Sequence, residues 1–110
     1  MDPAPIAQRS AADVAAALRA PEAPFLLDVR EAEELQIAHV EGAHWIPMGE
    51  VSARLEELPK EKPIVVMCHH GIRSLRIAQY LQWAGFDRVE NLRGGIDAWS
   101  MEVDPEIQRY

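Results

Sequence analysis

The sequence predicts an α/β fold: one domain over residues 1–110, with a five-stranded, mainly parallel sheet and helices on both faces. Three observations lead there. Short apolar runs alternate with helix-period stretches along the chain, which is the pattern of strands joined by crossover helices. The length of 110 residues suffices for one core and leaves no room for a second. Apolar residues make up 48% and charged residues 26%, so the chain has enough apolar material to pack and is not of the disordered class.

The elements follow in order. Pro5-Ile6-Ala7-Gln8 reads as a short first strand. Ser10 is an N-cap type with Asp13 three residues on, opening a helix through Val14 and Leu18 that Pro21 and Pro24 punctuate. Phe25 to Val29 is a buried strand, and Glu31 to Ile37 a short helix with acids in its first turn, where the dipole favours them. Ala43 to Ile46 is a third strand, stopped by Pro47. Val51, Leu55 and Leu58 mark one face of a helix ending at Pro59. Ile64 to Met67 is the fourth strand. Leu75 to Ala84 is helical, with Gly85 fitting its C′ position. Arg88 to Leu92 is the fifth strand, and Gly94-Gly95 turns the chain into a last helix around Ile96 and Trp99. Trp45, Trp83 and Trp99 are expected in the core.

Between the fourth strand and its helix stands Cys68-His69-His70-Gly71-Ile72-Arg73-Ser74, which holds the only cysteine. Backbone N–H groups at a helix start lack intrahelical partners and favour an anion, hence thiolate over thiol. The thiolate is the nucleophile. Gly71 lets the backbone bend, Arg73 offers a planar guanidinium to an oxyanion, and Ser74 is placed to cap the helix. In parallel sheets ligands bind beyond the carboxyl ends of strands, where both Cys68 and Asp28-Val29-Arg30 fall.

Leu26-Leu27-Asp28-Val29-Arg30-Glu31, His39-Val40-Glu41-Gly42-Ala43, the loop from Cys68 and the closing Gly94-Gly95-Ile96-Asp97-Ala98-Trp99 occur in one order. In that order the chain resembles a single-domain rhodanese-like sulfurtransferase over nearly its whole length. The resemblance implies a persulfide mechanism. Cys68 takes the outer sulfur of a donor such as thiosulfate and passes it to a thiol or cyanide. It implies a binding loop of His69, His70, Gly71, Ile72, Arg73 and Ser74, with Asp28 and Arg30 in support through a buried ion pair or as site lining. No cofactor is implied. The alternative of another class is a non-catalytic binding module, or a persulfide carrier fed by a sulfur-relay protein. A cysteine phosphatase or arsenate reductase is a further rival. Its loop is C-x₅-R, whereas Cys68 to Arg73 is C-x₄-R.

His69 and His70 can act as a general base, add charge, or lend only their backbone. No metal is expected from Cys68, His39, His44, His69 and His70, because adjacent ligands do not converge easily and no C-x-x-C spacing exists. Gly94-Gly95 reads as a turn and not a phosphate loop. A net charge of −7 argues against nucleic acid. Residues 60–93 nevertheless hold six basic and three acidic groups, against five and fifteen elsewhere. The acidic stretches at Glu31-Glu33-Glu34 and Glu56-Glu57 read as solvated faces. No apolar segment is long enough to span a bilayer, the start at Met1-Asp2-Pro3-Ala4-Pro5 is not a secretory signal, and one cysteine suggests the cytoplasm.

Overall fold

The apolar runs form five strands: β1 (Ala7–Arg9), β2 (Phe25–Asp28), β3 (His44–Trp45), β4 (Ile64–Met67) and β5 (Val89–Leu92). The computed structural model describes residues 4–110, so Met1-Asp2-Pro3, part of the segment read as no signal, lies outside the described residues. The strands are ordered β1-β5-β4-β2-β3 and every pairing is parallel. Alternation along β4 splits the core in two. Ile64, Val66 and Cys68 pack with Ile77 and Leu81 on one face, and Val65 and Met67 with Val14, Ile96 and Trp99 on the other.

Four helices cover these faces: α1 (Ala11–Leu18), α2 (Ala32–Ile37), α3 (Ile72–Trp83) and α4 (Gly95–Glu102). Ser10 caps α1 as its residue type suggests, its Oγ accepting from the Asp13 N–H at 3.1 Å. From β2 the chain moves to β3 at one edge, while from β4 it moves to β5 in the other direction. The strand order therefore reverses between β2 and β4. Right-handed crossovers then send α2 and α3 to opposite faces and open a crevice beyond the carboxyl ends of those two strands.

Two expectations change. The helix read over Val51 to Leu58 is a pair of 3₁₀ segments, Met48–Ala53 and Leu55–Glu57. Arg54 leaves helical geometry between them (φ −127°, ψ 28°), and the turns close three residues apart, Arg54 N–H on Val51 and Leu58 N–H on Leu55. Of the three tryptophans only Trp99 is core, at 5% exposure; Trp45 and Trp83 are 41% and 81% exposed. Trp83 lies on the outer face of α3 in line with Ile72, Arg76 and Gln79, and Trp45 spends its indole N–H on the Arg30 carbonyl at 2.7 Å.

Candidate active site

Cys68 follows the last residue of the central strand β4, and α3 begins four residues later. The intervening turn is possible because Gly71, the N-cap of α3, adopts φ +101°, a region that side chains with Cβ rarely enter. Gly71 thereby aims its N–H back at the Cys68 Sγ, 3.1 Å away. The thiol is 1% exposed and touches the apolar cluster of Val29 and Val66, yet its sulfur faces the loop amide.

The loop is fixed from below by α4. Ile96 N–H donates to the Cys68 carbonyl at 2.9 Å, and Asp97 N–H to the His69 carbonyl at 3.2 Å. In a trans peptide this turns the N–H groups of His69 and His70 to the side away from α4. Gly95 makes the approach possible: a Cβ there would collide with the carbonyl oxygens of Cys68 and His69. From β5, Asn91 Nδ2 donates to the Gly71 carbonyl at 3.1 Å and to Gln8 Oε1 at 3.0 Å.

Ser74 does not cap α3. It lies on the buried face of the first turn, where its hydroxyl donates to Asn91 Oδ1 at 2.6 Å. The reason is positional, since the helix starts at Ile72 and Ser74 is already inside it. Ile72 is 69% exposed at the outer edge of the loop. Arg73 is held by Glu34 of α2 across the crevice, its two terminal nitrogens 2.8 Å from the two carboxylate oxygens. That pairing, with the Glu31 N–H and the Tyr110 hydroxyl adding to it, brings the Glu34 carboxyl down to about 2. Glu34 is thus no solvated acid, contrary to the reading of the acidic stretch. The basic surplus of residues 60–93 is likewise cancelled at Arg73.

Asp28 and Arg30 form the buried ion pair, 2.8 Å apart and at most 1% exposed. Every direction of the guanidinium is used: Asp28 takes Nε and Nη2, the Ala38 carbonyl takes Nη2, and the Tyr110 hydroxyl takes Nη1 at 2.9 Å. The pair ties the end of β2 to the end of α2 and to Tyr110, and leaves no donor for a substrate.

His69 is stacked between Tyr110 and His70, each ring 3.8 Å away. Burial, then the neighbouring His70, push its imidazole below the ordinary range, which favours the neutral form. Its Nε2 is buried without a partner among the described residues. His70 is exposed and lies 3.9 Å from Asp97, which Arg109 also engages at 2.8 Å. His69, His70 and Asp97 bring potential ligand atoms within 4.8 Å of one another. They still fit a metal poorly. Imidazole binds through an in-plane lone pair, and two rings stacked 28° from parallel cannot aim both at one ion without unstacking. Sequence reasoning missed Asn91, Asp97 and Tyr110. Only Asn91 left a signal, as an amide beside Leu92 in the expected fifth strand. A cleft of about 520 Å³ lined by His39, Val40 and Trp99 lies on the α1–α4 side and touches none of residues 68–74.

The sequence pattern of the family described as Rhodanese-like domain matches residues 10–102. A sulfurtransferase of Allochromatium vinosum is 38% identical over 83 residues, covering 76% of this chain and 78% of its own. The thiosulfate sulfurtransferase GlpE of Actinobacillus pleuropneumoniae is 36% identical over 89 residues, covering 81% and 82%. A solved structure of a rhodanese-related protein from Thermoplasma volcanium, 29% identical, superposes with a TM-score of 0.81 over 94% of this chain and 99% of that one.

Proposed function

The chain belongs to the rhodanese-like domain family, and from that premise we propose that it is a sulfurtransferase working through a persulfide on Cys68. The observation that carries the reading is the Cys68 sulfur at the carboxyl end of the central strand, receiving the Gly71 N–H at 3.1 Å. Relatives named sulfurtransferases, one of them a thiosulfate sulfurtransferase, support it.

The thiolate attacks the outer sulfur of a donor such as thiosulfate; a new S–S bond forms as the old one breaks, and the leaving group, sulfite in that case, departs with the electron pair. Cyanide or a thiol then takes the outer sulfur and returns the thiolate. The loop's N–H groups and the start of α3 stabilise the anion at each stage. In this reading His69, His70, Gly71 and Ile72 contribute mainly backbone, Arg73 borders the donor, and Ser74, Asp28 and Arg30 hold the frame. With one cysteine there is no internal thiol to resolve the persulfide, so the acceptor is external, a small thiol or a sulfur-relay protein. A reduced single cysteine suits a reducing compartment such as the cytoplasm.

Thiosulfate-to-cyanide transfer by wild type and Cys68→Ser tests the reading, alongside intact mass after thiosulfate treatment. Thiocyanate formation and one added sulfur are expected in the wild type, and neither in the variant. Equal thiocyanate formation by Cys68→Ser would end it.

A further inference from the structure

We propose that Glu34 sets the donor class of this site: by cancelling the charge of Arg73 it turns the loop away from sulfur dianions such as thiosulfate and toward organic persulfides. The inference rests on the sulfur-transfer reading and names its substrate class.

Arg73 is the one permanently charged side chain within the loop from Cys68 to Ser74. Both its terminal nitrogens are taken by Glu34 in a two-point pair, 32% and 17% exposed, sheltered enough to be screened less than a surface pair. Glu34 is not free to move aside. The Glu31 N–H holds Oε2 at 2.9 Å and the Tyr110 hydroxyl holds Oε1 at 2.9 Å. Among the described neighbours, burial pushes His69 toward its neutral form, and His70 stands 3.9 Å from Asp97, which Arg109 also engages. The named side chains around the thiol therefore sum to no net positive charge.

The two donor classes respond differently to that balance. With thiosulfate, Cys68–S⁻ and S–SO₃²⁻ become Cys68–S–S⁻ and SO₃²⁻, and three negative charges converge in the transition state. With an organic persulfide in its protonated form R–S–SH, the same attack on the outer sulfur gives Cys68–S–SH and R–S⁻ with one charge throughout; ionised, R–S–S⁻ gives Cys68–S–S⁻ and R–S⁻ with two, against three for thiosulfate. Carboxylate beside guanidinium disfavours the first far more than the second.

The test compares thiosulfate with 2-hydroxyethyl persulfide, whose tail is uncharged, on wild type, Glu34→Gln and Cys68→Ser. In Glu34→Gln the ratio of thiosulfate to persulfide kcat/KM rises on the order of tenfold, the effect of one charge removed at a sheltered site. A partial folding defect lowers both donors together and leaves the ratio readable. A ratio that stays or falls overturns the assignment of Glu34. Should Glu34→Gln not fold, the wild type decides: raising ionic strength from about 20 to about 200 mM leaves thiosulfate kcat/KM level or higher, because no uncancelled cation draws the dianion in. A tenfold fall overturns the proposal. Turnover of neither donor that depends on Cys68 would instead bring down the sulfur-transfer reading itself.

Discussion

At Glu34 four hydrogen-bond donors meet one carboxylate: two from Arg73, one from Tyr110 and the Glu31 N–H. The group titrates at about 2 in the folded chain, with Arg73 the largest cause, against 4.5 when free. Its folded value is depressed, so the stability it contributes is complete above about 4.5 and drains away as pH falls toward 2. At a pair that water partly reaches, that contribution is about 2 kcal/mol after screening. Urea unfolding of wild type and Glu34→Gln should therefore differ by about 2 kcal/mol at pH 6.5 and by less than half as much at pH 3. A gap independent of pH would remove the pair as its source. None of this was readable from the residue's neighbours in sequence, because Arg73 lies 39 positions away. An acid in the first turn of a helix is satisfied by the dipole alone, so its local pattern asks for no partner.

Between elements, the loop from Cys68 is a joint shared by β4, α3, β5 and α4. Asn91 of β5 is its central pin: it takes the Ser74 hydroxyl, holds the Gly71 carbonyl and reaches Gln8 of the segment forming β1. All three contacts are lost in Asn91→Ala, which leaves Ser74 buried and unpaired. A loss of about 2–4 kcal/mol in urea unfolding is expected, with sulfur transfer reduced well beyond the unfolded fraction. Ser74→Ala leaves the Gly71 contact in place, so it should cost about 1–2 kcal/mol and spare most of the activity. Equal activity losses in the two variants would mean that Asn91 does not position the loop through Gly71. The strand–loop–helix order and the glycine were legible locally, since an apolar run, a glycine and a periodic stretch each carry their own signal. The 3₁₀ segments were not, because apolar residues spaced three and four apart suit an α-helix as well as a chain tightened onto the sheet.

Across the whole molecule, the Asp28–Arg30 pair connects the end of β2, the end of α2 and Tyr110 near the last helix. Such a pair is costly to break from one side, because the remaining charge is buried alone. Arg30→Ala should lower the unfolding free energy by about 3–5 kcal/mol. Arg30→Lys should recover only part, since an ammonium cannot reach acceptors spread around a planar fork. Full recovery by lysine would show that charge alone matters there. By itself the sequence determined the alternation of strands and helices, the place of Cys68 at a strand end and the family signatures, because periodicity, turn residues and short motifs act over a few neighbours. Tertiary structure alone decided which charges meet: that Glu34 faces Arg73, that Asn91 holds Gly71, and that Tyr110 closes over His69. Those contacts join segments far apart in the chain that the order of the parallel strands brings together, a geometry that no local pattern encodes.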